Sequence, residues 1–97
     1  MGAHDQTVEV LLLTQDECTY CEQARELLER LSGEYPLDVR SRELDSPEGR
    51  ELAARGGIFF APGIFLDGEP FSYGRPSERR LRRELRRRLA AAGRADA

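Results

Sequence analysis

Residues 8–21 read VEVLLLTQDECTYC, and this stretch decides the fold. Residues 7–13 contain a nearly continuous apolar run, which is typical of a short strand buried on both faces of a sheet. The polar residues 14–17 predict a loop after this strand. From Cys18 onward the apolar residues recur with the helical period. The sequence therefore predicts a strand, a loop and then a helix that begins at Cys18.

The chain has 2 cysteines, Cys18 and Cys21, and both lie at this junction between strand and helix. Two thiols at this spacing can close a small disulfide ring without a large movement of the backbone. A helix N-terminus beneath the first sulfur favours its thiolate, which is the reactive form of cysteine. The pattern predicts a thiol–disulfide redox site in which Cys18 is the nucleophile and Cys21 is the partly covered resolving thiol.

The rest of the chain predicts three more strands and two more helices. The strands are expected at residues 37–40, 63–67 and 69–73. Ser46 and Pro47 have the residue types of a helix N-cap and a first helical position. Asp67 and Gly68 are a typical two-residue hairpin turn, and Ser77 opens the last helix. The order β-α-β-α-β-β-α predicts an α/β fold, in which a mixed four-stranded sheet is flanked by three helices on its two faces.

At 97 residues, the chain is long enough for one compact domain. We predict this domain over residues 7–92, with tails at residues 1–6 and 93–97. No apolar run approaches the roughly 18 residues of a membrane span, so no membrane partner is expected. The first six residues lack the basic and apolar regions of a secretory signal. We therefore expect a cytoplasmic protein, and a monomer.

Three segments together resemble the glutaredoxin branch of the thioredoxin-like family. They are the strand followed by Cys-Thr-Tyr-Cys at residues 18–21, Phe-Ala-Pro at residues 60–62, and Tyr73-Gly74 followed by Ser77 and Glu78. A CxxC motif alone is moderately specific. A proline about 40 residues later that leads into a β-hairpin makes the resemblance much more specific. The resemblance covers roughly residues 7–89 and implies a thioredoxin-like fold of the glutaredoxin type.

The resemblance also implies roles for particular residues. Pro62 is expected to be a cis-proline that faces the cysteines, which leaves the backbone of Ala61 free to pair with an extended substrate. Gly74 and Ser77 match the region in which glutaredoxins hold the γ-glutamyl end of glutathione. Tyr20, between the two cysteines, is expected to flank the site and contact bound substrate.

The implied activity is the reduction of disulfides through a mixed-disulfide intermediate. The substrate would be a disulfide-containing protein or a small-molecule disulfide, and the electrons would come from a reductase or a small thiol. The resemblance implies no tightly bound cofactor and no metal, with glutathione or another low-molecular-weight thiol as a possible co-substrate.

Residues 15–19 depart from the glutaredoxin pattern in ways that affect this co-substrate. Gln15 stands where glutaredoxins usually have a basic residue that holds a glutathione carboxylate, and Asp16 and Glu17 follow it. Two carboxylates at this place repel an anionic thiol and oppose the effect of the helix N-terminus on the Cys18 thiolate. Thr19 replaces the usual proline. The sequence therefore predicts poor dependence on glutathione.

A function of another class stays open, namely a non-catalytic carrier or adaptor on the same fold. A structural zinc or iron–sulfur site needs about four ligands, whereas the chain has 2 cysteines and 1 histidine. Only a dimer that pools its ligands, or a cluster bridged by glutathione, would supply enough of them. Thr19 in place of proline favours such a cluster. The alternative is therefore a dimeric metal or iron–sulfur carrier, or a partner-binding adaptor.

Residues 79–88 contain seven arginines, which raises the question of nucleic-acid binding. The charge is uneven along the chain, with a net −9 over residues 1–69 and +6 over residues 70–97. Glu78 and Glu84 interrupt the arginines, and no aromatic residues lie among them for base stacking. We therefore expect no nucleic-acid partner, and predict a solvated helix face or one that docks an acidic redox partner.

Overall fold

The structure is a computed structural model that describes the backbone of residues 7–96 and the side chains of residues 7–91. Its elements are β1 (Val8–Thr14), α1 (Thr19–Ser32), β2 (Leu37–Glu43), α2 (Pro47–Gly56), β3 (Gly63–Leu66), β4 (Glu69–Tyr73) and α3 (Glu78–Asp96). The predicted order of strands and helices is confirmed.

The four strands form one mixed sheet in the spatial order β2-β1-β3-β4. β1 pairs in parallel with β2, as expected for two strands joined through a helix. β3 is antiparallel to both β1 and β4. Because β1 has a neighbour on each side and helices over both faces, five of its 7 residues are buried, which accounts for its nearly continuous apolar run.

The helices cover both faces of the sheet, as predicted. α1 and α3 pack on one face, where Val10 of β1 and Leu85 of α3 belong to one core cluster. α2 packs on the other face, where Ala53 lies in a second cluster with Leu13 and Phe65. The buried side of α1 is the one that the helical period predicted: Cys21, Ala24, Leu27, Leu28 and Leu31.

β2 is longer and more exposed than the sequence predicted. Alternation indicated residues 37–40, whereas the strand continues to Glu43 and is exposed from Val39 onward. β2 has a single neighbouring strand because it lies at the edge of the sheet. An edge strand tolerates polar and charged side chains, so the second half of β2 has no hydrophobic alternation by which to find it.

α3 continues to Asp96, past the predicted end of the domain at residue 92. The run of alanines at residues 90–92 favours helix continuation. The predicted tail of residues 1–6 lies outside the described residues, and so does residue 97 of the second tail. The proposed limits of the domain stay a prediction. Within the described part of the chain, no helix combines the length and apolar character that crossing a membrane requires.

Gly49 lies in the first turn of α2, against the backbone of the loop that leads into this helix. The helix starts as predicted, with Ser46 as N-cap and its side chain accepting a hydrogen bond from the Gly49 N–H at 3.0 Å. A Cβ on Gly49 would overlap the carbonyl oxygen of Glu43 and come within 2.9 Å of the Cα of Leu44. These are backbone atoms, so they cannot rotate away.

We therefore predict that Gly49→Ala lowers the free energy of unfolding by about 1–3 kcal/mol, as measured by urea unfolding followed by circular dichroism. Gly33→Ala is the matched control. A Cβ there would lie 3.4 Å from the carbonyl oxygen of Arg30, and the φ of Gly33, −77°, suits any residue. Equal midpoints for the two variants would show that α2 does not approach this loop so closely.

Candidate active site

One edge of the sheet gathers the ends of β1, β2 and β4 and the start of β3. Thr14 at the end of β1 pairs with Glu43 at the end of β2. Leu13 pairs with Gly63 at the start of β3, and Gly63 pairs in turn with Tyr73 at the end of β4. The chain segments that adjoin these strand ends therefore meet at one edge of the molecule.

The residues predicted to form the site adjoin these strand ends. The loop after β1 leads to Cys18, and the residue before β3 is Pro62. Gly74 follows β4, and Ser77 precedes α3. The register thus brings the two cysteines, Pro62 and Gly74 to the same edge, as the order of the elements implied.

Cys18 is the N-cap of α1, and its Sγ accepts a hydrogen bond from the backbone N–H of Cys21 at 3.1 Å. The two cysteines are joined by a disulfide bond, with 5.2 Å between their Cα atoms. Cys18 is partly exposed, whereas Cys21 has only 2% of its surface exposed. A reactant from solution therefore reaches the sulfur of Cys18 and not that of Cys21.

The loop between β1 and α1 and the first turn of α1 place acidic side chains near Cys18 in the sequence. Asp16 and Glu17 are exposed in this loop, and Glu22 lies in the first turn of α1. Glu17 has a left-handed backbone with a φ of 51°. Because glutamate is not a residue type that favours this conformation, no sequence pattern indicated so sharp a turn immediately before Cys18.

Pro62 and Gly74 are joined directly, because the Gly74 N–H donates a hydrogen bond to the Pro62 carbonyl oxygen at 2.8 Å. The Ala61–Pro62 peptide bond is cis. The side chains of Ala61 and Pro62 are both buried. Gly74 has a φ of 81°, in the region that favours glycine. The structure thus brings these residues together at the site edge, and their role in binding substrate stays a prediction.

Ser77 and Tyr20 take positions that fit more than one role. The Ser77 Oγ accepts a hydrogen bond from the Arg80 N–H at 3.3 Å, so Ser77 caps the start of α3. Tyr20 is 43% exposed on the first turn of α1, and its ring touches no other aromatic ring among the described residues. Their predicted contacts with substrate stay untested.

An exposed aromatic cluster, formed by Phe59, Phe60 and Tyr73, adjoins Ala61 and Gly74. Phe59 is 79% exposed, Phe60 55% and Tyr73 39%. Tyr73 meets both phenylalanine rings edge to face, with ring centroids 5.6 Å and 5.1 Å apart. The Phe60 ring lies against Gly74, so a Cβ on that glycine would come within 3.0 Å of it. The sequence predicts core or site-rim packing for Phe59 and Phe60, and none of the three rings is among the predicted site residues.

The described residues also form a groove that lies apart from the cysteines. A groove of about 230 Å³ on the α2 face of the sheet has Leu11 and Phe65 in its floor and Arg40 and Arg42 at its rim, and none of the predicted site residues lines it. Over residues 7–91, no group of three or more histidine, cysteine, aspartate or glutamate side chains is arranged to hold a metal ion.

Solved structures of other proteins share this architecture. The chain is similar to a mutant thioredoxin from Halobacterium salinarum NRC-1, with a TM-score of 0.67 and 23% identity over 84% of this chain and 74% of that chain. It is similar to a structure described as a malarial protein, with a TM-score of 0.64 and 20% identity over 86% of this chain and 98% of that chain.

Glutaredoxin 1 from Francisella tularensis, complexed with cacodylate, gives a TM-score of 0.48 at 21% identity, over 86% of this chain and 98% of that chain. A likeness at this score supports no conclusion. No family model and no curated protein sequence matches the chain. The first two likenesses establish the fold alone, and on that level the predicted thioredoxin-like fold is confirmed.

Proposed function

We propose that this protein is a glutaredoxin-like thiol–disulfide oxidoreductase that reduces disulfide bonds of other proteins. The observation that carries the proposal is the state of the two cysteines. They are joined at the N-terminus of α1, with the first sulfur partly exposed and the second buried. Burial of Cys21 leaves Cys18 as the sulfur that meets the substrate.

The reaction starts from the reduced protein. The Cys18 thiolate attacks one sulfur of the substrate disulfide, and the substrate S–S bond breaks as the mixed disulfide forms. The first substrate thiolate leaves and takes a proton from water. Cys21 then loses its proton and attacks the Cys18 sulfur, which releases the second substrate thiolate. Two electrons have passed from the protein dithiol to the substrate, and the protein is left with the Cys18–Cys21 disulfide.

The start of α1 favours the first step. The Cys21 N–H that points at the Cys18 Sγ donates a hydrogen bond to a thiolate as well, and the positive end of the helix dipole supports the same charge. The carboxylates of Asp16, Glu17 and Glu22 act against it. The reactivity of Cys18 is therefore a balance between one helix terminus and three nearby acids.

The exposed aromatic cluster supports a protein as the substrate. Phe59, Phe60 and Tyr73 expose apolar surface next to the Ala61–Pro62 backbone. An apolar side chain beside a substrate cysteine can cover this surface, whereas a small charged thiol cannot. We propose that the protein acts as a monomer in a reducing compartment such as the cytoplasm, without a tightly bound cofactor.

The source of electrons is tested by turnover of bis(2-hydroxyethyl) disulfide, an uncharged small disulfide. We expect faster turnover with dithiothreitol, or with thioredoxin reductase and NADPH, than with glutathione and glutathione reductase. The acids at residues 16 and 17 repel the carboxylates of glutathione, and Gln15 offers no positive charge to hold them.

Gln15→Lys is the matched variant for this comparison. It supplies the missing positive charge, so we expect the rate with glutathione to rise about 3- to 10-fold while the rate with dithiothreitol stays the same. Efficient glutathione-dependent turnover by the wild type, unchanged by Gln15→Lys, would show that these charges do not select the reductant. Absence of turnover with every reductant would contradict the oxidoreductase itself.

A further inference from the structure

The seven arginines at residues 79–88 divide into two groups in the structure. Four of them bind groups of the protein itself. Arg82 donates to Glu34 at 2.7 Å and to Glu78 at 2.9 Å, and Arg86 donates to the hydroxyl of Tyr35 at 3.1 Å. Arg87 donates to a carboxylate within α3, and Arg88 to carboxylates of the hairpin and of α3. Arg82, Arg86 and Arg88 thus hold α3 against the rest of the protein, whereas Arg87 binds only within the helix.

Internal pairing also affects the acids that take part in it. The hydrogen bond from Arg82 holds the pKa of Glu34 below its usual value. The hydrogen bond from Arg87, followed by that from Arg88, does the same for Glu84. The carboxylates of Glu34 and Glu84 are therefore already paired, with Arg82 and with Arg87 and Arg88 respectively.

The second group is the other three arginines of this stretch, Arg79, Arg80 and Arg83, which form no ion pair with any described residue. Arg79 and Arg83 are exposed and form no ion pair with any described residue, and the same holds for Arg75, which follows Gly74. Arg80 lies with its guanidinium 5.3 Å above the ring of Phe71. Arg75, Arg79 and Arg83 are named the arginine ridge.

The arginine ridge lowers the stability of the folded protein. Arg79 and Arg83 are four residues apart on one helix face, where two like charges repel each other and destabilise the helix. The ridge also lies on a chain whose net charge is −3, so its positive charge is local. An acidic surface on another molecule would relieve this repulsion.

We propose that the arginine ridge docks an acidic segment of the protein whose disulfide is reduced at Cys18. This inference rests on the proposed function and adds the chemistry of the partner. The ridge starts with Arg75 beside Gly74, at the edge of the sheet that holds Cys18, and continues along α3 toward the far end of α1, where Arg82 binds Glu34. A partner protein that covers the length of α1, about 20 Å, contacts both Cys18 and the ridge. Asp16, Glu17 and Glu22 lie on the Cys18 side. The two opposite charges fix the orientation of the segment, with its acids toward α3.

The spacing along the ridge indicates the pattern that fits it. Four residues of a helix rise about 6 Å, which is the axial distance from Arg79 to Arg83. In an extended segment, side chains at alternate positions lie about 6.6 Å apart on one face. Two acids separated by one residue therefore match the two arginines. A nucleic acid fits less well, because its evenly charged backbone would meet the carboxylates around Cys18.

The test uses two synthetic peptides, each closed by one internal disulfide and identical except for three residues that follow the second cysteine after a spacer of about six residues, which spans about 20 Å when extended. One peptide carries Glu-Ser-Glu there and the other Lys-Ser-Lys. We expect the wild type to reduce the acidic peptide with a kcat/KM about tenfold higher at low ionic strength. Salt screens exposed charges, so the ratio falls toward one in 0.5 M NaCl.

Arg79→Glu combined with Arg83→Glu is expected to abolish or reverse this preference and to leave the turnover of bis(2-hydroxyethyl) disulfide unchanged. Arg50→Glu combined with Arg55→Glu makes the same change of charge on α2, on the other face of the sheet, where both arginines are exposed. This control is expected to keep the preference. Arg79→Gln with Arg83→Gln, which is milder for folding, is expected to give an intermediate ratio.

Each outcome decides between defined possibilities. Equal reduction of the two peptides by the wild type, or equal loss of preference in the ridge and control variants, overturns the ridge proposal while the redox function stands. If no disulfide is reduced at all, the redox function fails, and binding of fluorescent, cysteine-free versions of both peptides still decides the ridge. Tighter binding of a single-stranded oligonucleotide than of the acidic peptide at 0.15 M salt overturns the proposal in favour of nucleic acid.

Discussion

Cys21→Ser is expected to accumulate a stable mixed disulfide on Cys18, whereas Cys18→Ser accumulates none and loses turnover by at least about 1,000-fold. In the wild type, Cys21 attacks Cys18 and releases the substrate sulfur that is bound there in the mixed disulfide, so a serine at residue 21 stops the reaction after its first step. The partly exposed Cys18 stays able to attack. The measurement is non-reducing electrophoresis and intact mass after incubation with a disulfide-containing protein.

The two variants serve as controls for each other, because Cys21→Ser keeps only the thiol of Cys18 and Cys18→Ser keeps only the thiol of Cys21. The buried Cys21 is 2% exposed, so a serine at residue 18 leaves a thiol that a protein disulfide does not reach. Mixed disulfides of equal amount on both variants would mean that Cys21 is accessible and that the order of attack is wrong. Their absence from Cys21→Ser would remove the main support for the oxidoreductase.

The parts of the fold that the sequence predicted are those set by local pattern. The apolar run of residues 7–13 predicts a buried strand, and the helical period after Cys18 predicts the buried side of α1. The hairpin follows from Asp67 and Gly68, whose φ values of 50° and 83° are both positive, as its tight turn needs. Such elements can be predicted from sequence because the residues that determine them are neighbours along the chain.

Other features depend on contacts between distant parts of the chain, and no local pattern indicates them. The sequence shows a row of arginines in α3 but not which of them reach Glu34 or Asp67, because those acids lie in the turn after α1 and in the hairpin turn. Likewise, phenylalanine is usually buried, whereas the structure leaves Phe59 and Phe60 exposed, with the Phe60 ring against Gly74.

Replacement of Phe59 and Phe60 by alanine is expected to lower kcat/KM for a protein disulfide about 10- to 30-fold, which corresponds to about 1.4–2 kcal/mol. Insulin serves as the protein substrate. Both rings are mostly exposed, and on binding they would bury apolar surface against side chains near the substrate cysteine. The turnover of bis(2-hydroxyethyl) disulfide is expected to change less than about twofold, because this molecule is too small to cover the cluster.

Val39→Ala is the matched control for this double variant. Val39 is also an exposed apolar residue, with 37% of its surface accessible, but it lies on the edge strand β2, so its removal is expected to change neither activity. Phe59 has so much exposed surface that its truncation removes little packing, and the unfolding midpoint of the double variant tests whether Phe60 supports Gly74 as well. An equal loss on insulin and on the small disulfide would place the effect in the chemistry of Cys18. No loss on either would show that partner proteins bind without the aromatic cluster.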